Sequence, residues 1–146
     1  GKPLVVTGTG GRLPHLQRIA KPNVTFLGFQ PDEVVSDHLA RCKALILAGE
    51  EDSPLTPVEA HASGRPVIAF AAGGALETVE DGVTGVFFRE QTPEALADAV
   101  RRFETLSFDG AAMAAHAEPF GPSHFIRKIR EYAGRRHREY IESYYG

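Results

Sequence analysis

Two glutamates and a pair of glycines stand out within one short segment of this sequence. Glu51 and Glu59 have seven residues between them, and Gly73-Gly74 follows with another acid, Glu77, close behind. Carboxylates repel a phosphate, but they accept hydrogen bonds well from neighbouring hydroxyls such as those of a ribose or a hexose. Adjacent glycines let the backbone approach a bulky ligand, because no side chain intervenes. These residue types predict a site for a ligand rich in hydroxyl groups.

Each of these features also has a plain structural interpretation. A glutamate one turn inside a helix is commonly a solvated surface residue, and Gly73-Gly74 is also typical of a tight turn. Gly64 is better explained as a helix cap than as a ligand contact. His61, in the same segment, is more typical of a helix-surface or packing residue than of a catalytic base.

Short apolar runs alternate with helical patterns along the chain. Strands are predicted at 3–8, 23–28, 43–49, 66–70 and 84–88, and helices at 12–20, 31–42, 54–64, 92–106, 109–117 and 122–144. The helix at 92–106 has the clearest signals, since Thr92 is a typical N-cap and Pro93 suits the first helical position. This alternation predicts an α/β fold with a Rossmann-like parallel sheet flanked by helices.

In open parallel sheets, ligands bind beyond the carboxyl ends of the strands. The loops at 49–54 and 71–74 each follow a predicted strand, so both are expected on that edge. The helix that begins near Pro54 points its N-terminus into the same crevice, where free N–H groups and the helix dipole favour an anion. An anionic ligand with hydroxyl groups, such as a nucleotide diphosphate, fits these parts.

The amino-acid composition limits the classes of protein to which this chain can belong. The 146 residues are 42% hydrophobic and 24% charged, which is typical of one globular domain. No apolar run reaches the roughly 18 residues of a membrane span, and the N-terminus does not resemble a signal peptide. The net charge of −3 argues against nucleic acid as the main partner. The single cysteine, Cys42, cannot form an internal disulfide, and no His/Cys spacing indicates a metal site.

Several longer segments, taken in order, resemble the donor site of the family 4 retaining glycosyltransferases, whose GT-B architecture has two facing Rossmann-like domains. The matching segments are "PLVVTGTG" (3–10), "NVTFLGF" (23–29), "PVEAHASGRPVIA" (57–69), "GGALETVEDGVTGVFF" (73–88) and "EQTPEALADAVRRFE" (90–104). Glu51 and Glu59 also stand at the spacing of the family. Within it, the sequence most resembles mannosyltransferase-like members.

The resemblance implies that residues 1–106 are part of a nucleotide-sugar-binding domain and that 107–146 are the C-terminal helical segment of the same domain. The chain then corresponds to the C-terminal half of a GT-B fold without its first strand and helix. Those upstream elements carry an Arg and a Lys that neutralise the diphosphate, and the loss of their central strand is expected to leave a gap beside strand 3–8. An acceptor-binding N-terminal domain is also implied, so this chain alone is expected to be inactive.

The same resemblance assigns roles to individual residues. Glu51 corresponds to the catalytic acid that contacts and orients the donor sugar, and Glu59 to the acid on the ribose hydroxyls. The remaining implied substrate contacts are the backbone of Leu55, Thr56 and Val58 at the diphosphate, Gly8 and Gly10 beside the nucleotide, Leu27 and Gly28 at the base, and Gly73 and Gly74 in the donor crevice. The donor is a GDP-sugar or UDP-sugar, and no metal or other cofactor is required.

The implied reaction moves a hexosyl group, mannosyl by the nearest resemblance, to an acceptor hydroxyl with retention of configuration. The implied acceptor is a glycan or lipid-linked sugar in glycan or polysaccharide biosynthesis, and the implied location is cytoplasmic. The basic, tyrosine-rich segment at 122–146 adds a choice of partners. It is solvated, it packs on the absent domain, or it makes a peripheral contact with anionic lipid at the inner membrane face.

Two alternatives remain open. The family usually has Phe-Gly where this chain has Ser53-Pro54, and proline lacks the N–H that would face the sugar. That departure favours a non-catalytic, transferase-like binding module. The second alternative is a dinucleotide-dependent oxidoreductase, because "GTGG" (8–11) follows a predicted strand. The third glycine of that fingerprint is missing, however, since Leu13 occupies its place.

Overall fold

The computed structural model describes residues 1–145. The chain forms two compact units, the first spanning Gly1–Arg41 and the second beginning at Cys42. The final residue of the predicted segment 107–146 lies outside the described residues.

The first unit alternates two strands with two helices. Its elements are β1 (Leu4–Thr7), α1 (Leu13–Ile19), β2 (Val24–Gly28) and α2 (Asp32–Arg41). β1 and β2 are parallel, with Val6 opposite Phe26. Helix α2 opens with two acids, Asp32 and Glu33, which is favourable near the positive end of the helix dipole.

The second unit contains a three-stranded parallel sheet. Its strands are β3 (Leu45–Leu47), β4 (Val67–Phe70) and β5 (Gly85–Phe88), in the order β3-β4-β5. Ile46, Ile68 and Val86 lie side by side across the three strands. Ile68 and Val86 are buried, so this row runs through the core.

The second unit also contains helices, of which the first and the third contact the sheet. They are α3 (Thr56–Ala62), α4 (Ala75–Thr78), α5 (Pro93–Phe103) and α6 (Gly110–Ala117), followed by a 3₁₀ turn (Glu118–Phe120) and α7 (Pro122–Tyr145). α5 places Ala99 against Ile68, Val86 and Phe88 in one buried cluster. α3 packs mainly on α6. No residue of α7 is buried.

The α/β class, the parallel strands and the flanking helices are confirmed. The caps are confirmed as well. The Thr92 hydroxyl accepts a hydrogen bond from the Ala95 N–H at 3.2 Å. At Gly64, the two backbone bonds of a Schellman motif close α3: the N–H of Gly64 donates to His61 and that of Arg65 donates to Ala60, each at 2.8 Å.

Three details differ from the sequence prediction. The five strands form two sheets rather than one, and within residues 1–145 the ladder of β1 is with β2. The helix predicted at 54–64 begins at Thr56, because Leu55 is its N-cap residue and Pro54 belongs to the preceding loop. α4 was not predicted, since four residues are too few to show a helical period. In the described part of the chain, no helix combines enough length and apolar character to cross a membrane.

Candidate functional site

The loops after β3 and β4 meet at the carboxyl edge of the second sheet. The N–H of Gly74, after β4, donates to the carbonyl of Glu51, after β3, at 2.8 Å. The same β3 loop is held at its other end, where the Gln91 side chain donates to the Ala48 carbonyl at 3.0 Å. The loops that were predicted to share the ligand edge are therefore joined there.

Gly73 and Gly74 are required by this junction. Gly73 has φ +54°, and a Cβ added to it would lie 2.3 Å from the carbonyl oxygen of Glu51. A Cβ on Gly74 would lie 2.5 Å from the Asp52 carbonyl oxygen and 2.6 Å from Cδ of Pro54. The glycine pair thus serves a close approach between two protein backbones. Its approach to a ligand stays a prediction.

Pro54, the departure from the family pattern, lies at the same junction. The residue is buried, and its ring faces Gly74. Ser53, by contrast, is exposed. Proline therefore fills space beneath the glycine pair at the position where the resemblance expects a free N–H. The structure gives it a packing role that the sequence pattern alone did not show.

The start of α3 supplies donors for an anion. Leu55 occupies the N-cap position without a side-chain cap, and Pro57 stands in the first turn. The N–H groups of Thr56 and Val58 precede the first intrahelical bond, which runs from the Glu59 N–H to the Leu55 carbonyl at 3.0 Å. These two N–H groups are the ones suited to a phosphate oxygen.

Glu51 and Glu59 stand on either side of this helix start along the chain. Glu51 lies in the loop after β3, and Glu59 in the first turn of α3. Both residues are exposed, so their carboxylates are open to hydroxyl donors from a ligand. The structure brings the backbone of Glu51 together with Gly73 and Gly74, and Pro54, just before α3, lies against Gly74. The roles of the two acids stay predictions.

The other four predicted contacts belong to the first unit. The N–H of Gly8, after β1, donates to the carbonyl of Gly28, at the end of β2, at 2.7 Å. A Cβ added to Gly8, Gly10 or Gly28 would meet no atom of the described residues within 4 Å. Leu27 is half-buried in β2. Gly8 and Gly28 have φ values of 102° and 67°, so their backbone conformation alone favours glycine, and the contact of these residues with a ligand stays a prediction.

His61 is a buried packing residue, as one of the sequence interpretations held. It is 1% exposed, and its Nε2 lies 3.0 Å from the Thr84 carbonyl oxygen. Its ring meets that of His116 edge to face, with centroids 5.5 Å apart. Burial lowers the pKa of His61, although the Thr84 carbonyl opposes that shift. Sequence reasoning missed His116, because a contact between distant helices leaves no local pattern.

An ion pair steadies the turn that leads into β5. Arg102 of α5 donates to both carboxylate oxygens of Asp81, at 2.8 and 3.0 Å, and the Phe87 N–H donates to the same side chain at 3.1 Å. The Arg102 hydrogen bonds hold the pKa of Asp81 below its usual value. The pair is almost half exposed, so its net contribution to stability is small. Its role is to orient the turn.

Nothing in residues 1–145 assembles three or more His, Cys, Asp or Glu side chains into a metal-binding group. Cys42, the single cysteine, is half-buried, and burial raises the pKa of its thiol. A raised pKa leaves less of the reactive thiolate at neutral pH, which favours a packing role.

Residues 2–105 match the family model described as "Glycosyl transferases group 1". Among curated proteins, a D-inositol 3-phosphate glycosyltransferase of Streptomyces griseus subsp. griseus is 39% identical over 94 residues, which cover 61% of this chain and 20% of that protein. One from Streptomyces avermitilis is 32% identical over 165 residues, covering 98% of this chain and 35% of that protein. The chain thus spans between a fifth and about a third of the length of these relatives.

Solved structures show the same fold. The lipopolysaccharide outer core galactosyltransferase WaaB in its apo form aligns with a TM-score of 0.73 at 22% identity, over 88% of this chain and 39% of that one. Anabaena Alr3699/HepE in complex with UDP aligns with a TM-score of 0.65 at 23% identity, over 91% of this chain and 41% of that one.

Proposed function

Because this chain belongs to the glycosyl transferases group 1 family, we propose that it is the donor-binding part of a retaining transferase with GT-B architecture. The donor is a nucleotide-diphosphate sugar, and a hexosyl group moves from it to an acceptor hydroxyl. The observation that carries this proposal is the junction of the Glu51 loop, the start of α3 and Gly73-Gly74 at one sheet edge.

Each part of that edge suits one part of the donor. Glu51 accepts hydrogen bonds from the donor-sugar hydroxyls and orients the reacting face, and Glu59 accepts from the ribose. The backbone at Leu55, Thr56 and Val58 meets the diphosphate with the positive end of α3. From the resemblance alone, we propose that Gly8 and Gly10 of the first unit contact the nucleotide and that Leu27 and Gly28 contact its base.

In the proposed reaction, the bond from the anomeric carbon to the diphosphate breaks and a bond to the acceptor oxygen forms. The leaving diphosphate takes the acceptor proton. The main chemical task of the protein is then to stabilise charge that develops on the diphosphate, which preorganised N–H groups do without a metal. The acceptor must be held against the donor by a second, N-terminal domain, so this chain alone is expected to transfer no sugar.

The substrate class is proposed from the family and its relatives. The solved complexes of HepE with UDP and with UDP-glucose support a nucleotide-sugar donor. We propose a UDP-sugar or a GDP-sugar as the donor, and a mannosyl group follows only from the resemblance of the sequence. A glycan or lipid-linked acceptor in polysaccharide biosynthesis, on the cytoplasmic side, completes the proposal.

Nucleotide binding tests the proposal directly. Titration of the ¹⁵N-labelled chain with UDP or GDP is expected to shift the amide resonances of Thr56, Val58, Gly73 and Gly74. Binding should be weak, because the proposed upstream Arg and Lys are not in this chain. The free nucleosides, which lack the diphosphate, should leave Thr56 and Val58 unshifted. Shifts confined to α5 and α7 would contradict the donor site.

We also propose a peripheral membrane contact through α7. Residues 122–145 carry six Lys/Arg against three Glu, although the whole chain has a net charge of −3. Phe125, Ile129, Tyr140 and Tyr144 are exposed and recur at helical spacing, so they form an apolar stripe on one side. An apolar stripe on a basic helix matches the surface of an anionic bilayer.

Co-sedimentation with vesicles checks this contact. The chain is expected to bind vesicles that contain an anionic phospholipid and not to bind purely zwitterionic vesicles. Binding should weaken as salt rises, because each basic residue near the surface contributes roughly 1 kcal/mol by a screened attraction. Phe125→Ser should reduce binding, whereas Leu76→Ser, at an exposed position on α4, should not. Equal binding to both vesicle types would count against the proposal.

A non-catalytic binding module is the second candidate, and Pro54 favours it, because that position offers no N–H to a sugar. The two candidates differ at Glu51. A module that binds only a nucleotide has no use for a sugar-orienting acid, whereas a transferase does.

A further inference from the structure

Two histidines from different helices meet near the C-terminal end of α3. His61 belongs to α3 and His116 to α6, and their ring planes are nearly perpendicular, at 83°. Each ring also contacts a backbone carbonyl: Nε2 of His61 lies 3.0 Å from the Thr84 oxygen, and Nε2 of His116 lies 3.0 Å from the Thr78 oxygen. A carbonyl oxygen only accepts, so both rings must carry their proton on Nε2.

The two carbonyls lie at places that matter for the proposed site. Thr78 is the last residue of α4, and its hydroxyl donates to the Gly74 carbonyl at 3.1 Å. Thr84 directly precedes β5, and its hydroxyl accepts from the Glu80 N–H at 2.8 Å. The ring pair therefore connects α3, which carries Glu59, with the short helix that follows the glycine pair.

The surroundings of His61 favour a neutral ring. Strands β3 and β4 bring no ionisable side chain to α3, and the titratable ring that contacts His61 is His116. Carboxylates on the elements packed around it are all exposed, namely Glu59, Glu77, Glu80, Asp81 and Asp109. Arg65, just after α3, is a cation, and Asp81 is engaged by Arg102. No buried carboxylate in the described chain is placed to stabilise a charged His61.

We propose that His61 is a positioning residue: its neutral ring, held between the Thr84 carbonyl and His116, fixes the orientation of α3 and thereby of Glu59. The consequence for the donor rests on the proposed function, whereas the consequence for stability does not. Protonation of His61 places a charge in a buried site beside a second ring, so it loosens α3. Donor binding is then lost in acid before the fold as a whole unfolds.

The direction of the pH dependence follows from the lowered pKa of His61. The unfolded chain takes up this proton near pH 6.5, and the folded chain only at lower pH. Neutral His61 therefore contributes its full stabilisation of the fold above about pH 6.5. This stabilisation is lost as the pH falls through the pKa that His61 has in the folded chain. One linked proton changes the folding equilibrium by at most about tenfold per pH unit.

Urea unfolding of the 146-residue chain at pH 7.5 and 5.5 tests this. The urea concentration at which half of the wild type is unfolded should be lower at pH 5.5 than at pH 7.5. His61→Gln should show a smaller fall, because an amide N–H in the place of Nε2 can still donate to Thr84 and cannot be protonated in this range. His61→Leu should be less stable than His61→Gln at both pH values. His137→Gln, at an exposed position, should match the wild type.

If a variant fails to fold, ¹⁵N NMR of the histidine rings in the wild type still tests the proposal. The His61 ring should show the neutral Nε2–H form and titrate below pH 6.5. A proton on Nδ1, or titration at or above 6.5, would overturn the proposal.

UDP titrations then separate positioning from the donor proposal. The affinity of the wild type should drop between pH 7.5 and 5.5 by more than that of His61→Gln. If the UDP affinities of both proteins drop equally while the unfolding and NMR results are as expected, only the positioning role of His61 is overturned. If the wild type does not bind UDP at pH 7.5, the proposed function is overturned, whereas the conclusion that His61 is neutral is unaffected.

Discussion

Gly73→Ala is expected to lower the melting temperature of this chain by about 10 °C and to move the loop that carries Glu51. Two costs combine. A non-glycine residue at φ +54° is disfavoured by roughly 1–2 kcal/mol. The new Cβ would also lie 2.3 Å from the Glu51 carbonyl oxygen, and such overpacking costs roughly 1–3 kcal/mol. In a domain of this size, each kcal/mol corresponds to about 3–5 °C.

Gly49→Ala is the matched control, because it lies in the same loop. A Cβ there meets no described atom within 4 Å, and Gly49 does not have a positive φ. Its melting temperature should stay within about 2 °C of the wild type, as for an ordinary surface substitution. Calorimetry gives both values, and NMR shifts of Asp52 and Ser53 report the displaced loop. If the two variants melt alike, the glycine junction is looser than the structure has it.

Glu59→Gln, made in the proposed two-domain transferase, is expected to weaken nucleotide binding by about ten- to a hundredfold. The substitution keeps the shape but replaces a charged acceptor with a neutral one. A hydrogen bond to a charged group is worth roughly 1.5–3 kcal/mol, and 1.4 kcal/mol is tenfold in affinity. Isothermal titration with UDP and GDP measures the change.

Glu51→Gln should separate the two candidate functions. Its proposed partner is the sugar, so nucleoside diphosphate affinity should be nearly unchanged while turnover of the nucleotide-sugar falls. Both acids are exposed and neither belongs to the core, so the melting temperature should move by only a few degrees. Wild-type transfer by both variants would make the two acids ordinary surface glutamates. Nucleotide binding without transfer by the wild type would favour the binding module.

The sequence was most informative where structure is determined locally. The N-cap at Thr92 and the glycine that closes α3 involve residues within a few positions of each other, and both predictions are confirmed. The α/β class followed in the same way, because strand and helix patterns alternate over short distances. The matched family model agrees with the segments on which the resemblance depended.

Contacts between distant residues were not predictable from the sequence. The Gly-Gly pair lies against backbone atoms of Glu51 and Asp52 from another loop, a contact that the sequence pattern did not indicate, and its approach to a ligand stays a prediction. The contact of His61 with His116 depends on how α3 packs on α6, and the pairing of strands into two sheets is likewise non-local. The site roles of Glu51 and Glu59 stay predictions until their variants are measured.

The glycine junction has a consequence for how donor preference can change during evolution. Gly73 and Gly74 approach main-chain oxygens of Glu51 and Asp52, whereas the side chains from Glu51 to Ser53 point into solvent. The conformation of the loop thus depends on backbone atoms, which are the same in every amino acid. The groups that the loop presents to solvent are side chains, which differ between amino acids. In the proposed transferase, new side chains at Asp52 and Ser53 would alter sugar selectivity without refolding the loop. A directed-evolution library would randomise those two positions and hold Glu51, Pro54, Gly73 and Gly74 constant.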